Sequence, residues 1–119
     1  NKNGFFLMVE GAQIDWGGHD NDTNYLITEL LDFDKTIGVA LDFAAKNAET
    51  LVIVTADHET GGFTLSTDDG NYNKIKPTFS TGGHSATMVP IFAKGPGEEN
   101  FGGIYKNTTL FKKMMDIFK

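Results

Sequence analysis

The sequence predicts an α/β chain, on three observations. Residues 5 to 9, "FFLMV", are a short continuous apolar run. Leu26, Leu30, Phe33, Ile37, Leu41 and Ala44 recur at steps of four, three, four, four and three. Residues 50 to 56, "TLVIVTA", are a second apolar run rich in β-branched side chains. Apolar runs of this length suit strands buried on both faces, and the spacing between them suits one stripe of a helix. Strand, helix and strand in that order predict a βαβ unit with a right-handed crossover.

In chain order, "GAQIDWGGHDND" after the first run reads as a loop, because Gly, Asp and Asn dominate it. The helix begins near Asp22 or Thr23, either of which can cap it. Asp32, Lys35, Asp42 and Lys46 occupy its polar face. After the second strand, residues 61 to 66 suggest another. "STDDGNYNKIKPT" is polar and turn-rich and reads as a surface excursion. "ATMVPIFAKG", residues 86 to 95, predicts a further strand in which Pro90 removes one ladder donor. "GPGEENFGG" reads as loop. From Asn107 a short terminal helix is expected to pack Leu110, Phe111, Met114, Met115 and Phe118.

Composition narrows the function classes. The chain has 119 residues, enough for one domain or part of one. It has no Cys, so neither disulfides nor thiolate metal sites are available. The net charge is −6 and all ten basic residues are lysine, so no guanidinium fork is present for phosphate. An acidic chain without a basic patch argues against nucleic acid as a partner. No apolar run approaches the roughly 20 residues that span a bilayer, so no transmembrane segment is expected. The start, "NKNGFFLMVEG", has neither an initiator Met nor a signal-peptide core. That predicts a chain cut from something longer.

Three polar clusters invite chemistry, and each has an ordinary alternative. Asp57 and His58 end the second apolar run, at the strand end where open α/β sheets build sites; they also read as a helix-capping Asp followed by a solvated His. Asp15 and His19 lie four apart, and a glycine-containing loop can curl both toward one ion, although such a spacing is common by chance. His84 sits in "STGGHSAT", where Ser85 beside it suggests a nucleophile and base or simply a surface loop. Glu10 follows the first run and is either a ligand or the first exposed residue. Together the clusters gain weight. The chain's three His all lie in glycine-flanked segments, two of them close to an Asp. An oxygen- and nitrogen-rich set without Cys suits a catalytic zinc centre.

At this point "GFFLMVEGAQIDWGGHDND", "LVIVTADHETGGF" and "TGGHSATMVPIFAKGP", in that order and spacing, closely resemble the C-terminal part of bacterial alkaline phosphatases. The resemblance covers nearly the whole chain. The TADH and Asp-x-x-x-His elements also occur in cofactor-independent phosphoglycerate mutases, whereas VEG-x-x-ID-x-x-x-H with a later GGHS points to the phosphatases. The resemblance implies that residues 1–119 are the C-terminal segment of a single domain of three-layer α/β/α fold with a central, mainly parallel sheet. It implies two zinc ions and one magnesium. Asp15, His19 and His84 would hold the first zinc, Asp57 and His58 the second with an upstream Asp, and Glu10 the magnesium with an upstream Asp and Thr.

The family's Ser nucleophile and phosphate-gripping Arg belong to the N-terminal part of the same protein, so Ser85 is not the expected nucleophile and the isolated segment is expected to be inactive. The resemblance implies that Trp16 stands near the bound phosphate, where the best-known relatives carry Lys or His and other bacterial members carry Trp. The implied reaction is metal-assisted hydrolysis of a phosphomonoester through a phosphoserine intermediate, in an exported parent that is a candidate homodimer. The competing readings are a phosphoglycerate mutase or sulfatase-like relative, and a non-catalytic metal-binding module.

Overall fold

The computed structural model describes residues 2–118. Helix α1 (Ala12–His19) leads into the long helix α2 (Thr23–Lys46). Strand β1 (Val52–Thr55) follows, then β2 (Glu59–Thr60), β3 (Thr64–Asp68), β4 (Asn71–Thr78), β5 (His84–Ser85) and β6 (Ile91–Lys94). A 3-10 turn (Glu98–Phe101) and helix α3 (Thr109–Ile117) complete the order. The strands form three antiparallel pairs, β1 with β6, β2 with β5 and β3 with β4. No parallel pairing occurs among the described residues.

Helix α2 matches the expectation from periodicity. The Asp22 carboxylate accepts from Tyr25 N at 3.0 Å, so the expected cap is made. Along the predicted stripe, Leu26 is buried and Phe33, Ile37 and Ala44 are half-buried, against α1 and β1. Leu30 and Leu41 are exposed.

Two expectations need correction. Residues 11 to 22 are not a loop, because α1 occupies most of them. Residues 5 to 9 are not a strand: they belong to no regular element, and all five side chains are exposed. A strand requires a neighbour to satisfy its donors and acceptors, and no described strand pairs with this run. The βαβ crossover is therefore not formed. Three smaller differences follow local chemistry. The turn-rich stretch is a β-hairpin, because Asp69 (φ 47°) and Gly70 (φ 77°) supply the two left-handed residues a tight hairpin turn needs. The strand at 86 to 95 contracts to β6, with Pro90 just outside its ladder. The segment at 95 to 103 contains the 3-10 turn.

The core is thin. Among apolar side chains only Leu26 and Phe101 are buried in the described residues. The radius of gyration is 16.7 Å, against about 13.5 Å for a compact chain of this length. The accessible surface is 9062 Å², against about 6300 Å² for a compact protein of this mass. Exposed large apolar side chains include Phe5–Val9, Val39, Phe43, Tyr72 and Ile75 and, contrary to the packing expected of α3, Phe111 and Met115 on that helix and Phe118 just after it.

Candidate metal centre

Asp15 and His19 are placed by α1, which puts residues four apart on one face. Two glycines in eight residues weaken a helix, yet both are required by packing. A Cβ on Gly17 would fall 2.7 Å from Leu26 N, and one on Gly18 would fall 3.0 Å from Thr60 Cβ and Cγ2. The glycines let α1 wedge between α2 and β2. Its end is fixed by the backbone bonds Asp22 N to Gly17 O (3.0 Å) and Asn21 N to Gly18 O (3.1 Å), with Asn21 at φ 52°. That is the Schellman pattern, and Asp22 then caps α2 directly. The helix pair leaves no slack in the segment carrying Asp15 and His19.

His84 arrives from the other end of the chain. In the β2–β5 pair, Thr60 stands opposite His84 and Glu59 opposite Ser85. His84 Nε2 lies 3.3 Å from His19 Nε2 and 3.7 Å from Asp15 Oδ1, and His19 Nε2 lies 3.4 Å from Asp15 Oδ2. Ligand atoms of the three residues all fall within 4.8 Å of one another. Tetrahedral zinc with N and O ligands at about 2.0–2.1 Å sets those ligands about 3.3–3.4 Å apart.

Donor chemistry points the same way. His19 Nδ1 is 2.8 Å from the Gly82 carbonyl, which can only accept. A proton is therefore on Nδ1, and in the neutral imidazole, the form that ligates a metal, Nε2 turns a bare lone pair toward Asp15 and His84. One shared proton would answer only one of these facing pairs, whereas a divalent cation answers all three. The residues fit the zinc that the resemblance implies.

Asp57 and His58 leave the end of β1 together. His58 Nε2 is 3.3 Å from Asp57 Oδ2, and the His58 N–H donates to Asp57 Oδ1 at 3.1 Å. The His58 and His84 rings stack with centroids 3.6 Å apart, so the pair adjoins the triad. The carboxylates of the two groups differ in enclosure: the Asp57 side chain is 83% exposed, that of Asp15 35%, whereas His58 is less exposed than either His19 or His84. Glu10 is exposed in the segment before α1 and does not join the triad. Trp16 is exposed on α1 beside Asp15. The Ser85 hydroxyl donates to the Glu59 carboxylate, and Glu59 in turn accepts from Phe63 N at 3.0 Å. Ser85 is thereby engaged in holding the β2–β5 turn region.

Sequence reasoning missed the residues that hold the ligands. The Thr60 hydroxyl contacts Asp15 Oδ1 and lies 3.2 Å from His58 Nδ1. Asn107 Nδ2 donates to the Asp57 carbonyl at 3.1 Å from just before α3. Alternation along an extended backbone puts His58 and Thr60 on one side, a signal available in "DHET". No signal of that kind marks Asn107 or the Gly82 carbonyl.

Residues 1–78 match the alkaline phosphatase family. The chain is 57% identical to alkaline phosphatase 4 of Bacillus subtilis, over 90% of this chain and 23% of that protein. It superposes on the alkaline phosphatase of the Antarctic bacterium TAB5 with TM-score 0.92 and 57% identity, over 96% of this chain and 35% of that one. A mutant of that enzyme with Mg bound in its M3 site gives TM-score 0.92 and 58% identity, over 96% of this chain and 36% of that one. The chain thus spans between about a quarter and a third of the length of these relatives. It belongs to the alkaline phosphatase family.

Proposed function

We propose that this chain is the metal-carrying C-terminal segment of a single-domain phosphomonoesterase. The observation that carries the reading is the meeting of Asp15, His19 and His84, with His19 pinned through Nδ1 and its Nε2 turned inward. In this reading the triad holds one zinc, Asp57 and His58 hold a second with a carboxylate from elsewhere in the whole protein, and Glu10 contributes to a magnesium site. Bound cations there would neutralise phosphoryl charge and activate the attacking and leaving oxygens. The chain's own residues place and orient the ions. Gly82 and Thr60 fix the ligand side chains, and Trp16 lines the approach with an apolar face that cannot neutralise phosphate.

In this reading the nucleophile and the phosphate-gripping Arg are supplied by the rest of the whole protein, as the resemblance implies; the chain itself has no Arg, and its Ser85 hydroxyl donates to Glu59. The same remainder accounts for the surface excess. In the proposed three-layer fold, Phe5–Val9 joins a central, mainly parallel sheet, and the apolar sides of α2 and α3 are covered. The test is to assay the whole protein on p-nitrophenyl phosphate, its sulfate analogue and phosphoglycerate, before and after chelation. Preferred turnover of the phosphate ester, lost on chelation and restored by Zn²⁺ with Mg²⁺, is expected. Turnover that survives complete metal removal, or preference for the sulfate ester, would sink the proposal.

A further inference from the structure

Thr60 touches both ligand groups, and its hydroxyl has a single proton to place. Its Oγ1 is hydrogen-bonded to Asp15 Oδ1 and stands 3.2 Å from His58 Nδ1. An ionised carboxylate only accepts, so the threonine proton goes to Asp15. The remaining lone pairs of Oγ1 face His58 Nδ1, and that contact is a hydrogen bond only when Nδ1 carries hydrogen. A neutral imidazole protonated at Nδ1 has a bare Nε2. That Nε2 is the atom 3.3 Å from Asp57 Oδ2.

We propose that Thr60 is a positioning residue that couples the two ligand groups, orienting the Asp15 carboxylate through its proton and fixing the His58 tautomer through its lone pair. The proposal rests on the metal-centre reading above. Two further contacts hold the hydroxyl where it works. The α1 backbone at Gly18 comes so close that an added Cβ would lie 3.0 Å from the Thr60 Cβ and methyl, which limits rotation about the side chain. Cross-strand pairing sets Thr60 opposite His84, the third member of the triad. One hydroxyl therefore stands where the first ligand group, the second ligand group and the strand pair meet.

Thr60→Val keeps the methyl against Gly18 and removes the hydroxyl, while Thr60→Ser does the reverse. The experiment titrates Zn²⁺ into the metal-free whole protein by calorimetry, counts bound zinc, records melting temperatures of the metal-free forms, and reads the His58 tautomer by ¹⁵N NMR. The expected result is that T60V weakens both zinc events by about 10–100-fold, the usual cost of losing a partner of a metal ligand. Its metal-free melting temperature should stay at the wild-type value, T60S should recover most of the affinity, and His58 should carry its proton on Nδ1 in wild type but not uniformly in T60V. Unchanged zinc affinities in T60V would overturn the coupling while leaving the metal centre intact. Equal weakening in T60S and T60V, or a wild-type His58 protonated on Nε2, would overturn it as well. A wild-type protein that takes up no zinc would remove the metal centre itself, and this proposal with it.

Discussion

The triad and the Asp57–His58 pair lie side by side, yet they are built differently. The triad draws on α1 and β5, segments some 65 residues apart in sequence, and its backbone is locked by a Schellman turn and two glycine contacts. The pair consists of neighbours at the end of one strand, with an exposed carboxylate. A site assembled from distant segments reports on tertiary packing. A site made of consecutive residues reports on one strand end and, in the proposed reading, would need its remaining ligands from other parts of the protein. Zinc affinity should therefore divide unequally between them.

The largest expected effect tests that division. Titrated with Zn²⁺, the metal-free 119-residue chain should show one tight event and a second, much weaker one. Three protein ligands and a water complete a catalytic-type zinc shell, whereas two protein ligands, one of them the exposed Asp57, do not. His84→Ala should abolish the tight event, and His58→Ala should spare it. The reverse pattern would mean that the two groups have been assigned to the wrong ions. The same chain should not turn over p-nitrophenyl phosphate, and turnover lost on Ser85→Ala would contradict the role given to Glu59.

A second experiment breaks the triad from behind. Gly17→Ala places a Cβ 2.7 Å from Leu26 N and 2.8 Å from Leu26 Cα. Backbone cannot step aside as a side-chain tip can, so α1 must shift on α2, at a cost of about 1–3 kcal/mol. Denaturant unfolding of the whole protein measures that loss. Tight zinc binding should fall along with it while the Asp57–His58 event changes less. Equal weakening of both events would show that α1 supports the two groups alike.

These glycines also mark how far the sequence could be read. The α2 stripe and its Asp22 cap were legible because both depend on residues within a few positions. The ligand types were legible because three histidines and their neighbouring aspartates are few and chemically distinct. Helix α1 was not legible. Gly17 and Gly18 argue against helix on local propensity, and what overrides it is the approach of Leu26 and Thr60, a tertiary fact. Residues 5 to 9 show the opposite case: their apolar run suits a strand, but a strand forms only where a partner does, and no described strand pairs with them. The meeting of His84 with His19 depends on the β2–β5 register, which no local pattern announces.

A smaller effect separates charge from ligation. Trp16→His in the whole protein puts a cation beside the triad when the imidazole is protonated. At about 4 Å and high dielectric, this adds ~1 kcal/mol of attraction for an anion, about fivefold in affinity. Inorganic phosphate should inhibit the variant more strongly at mildly acidic pH, with the difference fading as pH rises past the imidazole range. An inhibition constant unchanged across that range would place Trp16 away from the anion.

The smallest effect lies on the flank that carries the pair. Glu98 Oε2 accepts from Gly95 N at 2.7 Å, and Lys94 stands 3.4 Å away. The backbone hydrogen bond from Gly95, aided by Lys94, holds the Glu98 carboxyl below its usual range. A depressed folded-state value means that ionised Glu98 stabilises the fold above its unfolded value, and that this contribution is lost as pH falls through the folded one. The turn it closes follows β6, the ladder partner of β1, and β1 presents Asp57 and His58. Glu98→Gln retains an acceptor for Gly95 N and removes the charge. Its stability deficit should be small, because the group is exposed and solvent screens it. The deficit should be constant near neutrality and should disappear at the acid end of the carboxylate range. Since Lys94 contributes by charge, added salt should shrink it further. A deficit that persisted below that range would assign the loss to altered hydrogen bonding instead of charge. A deficit that weakened the triad's zinc event as much as the pair's would show that the two sites share one support after all.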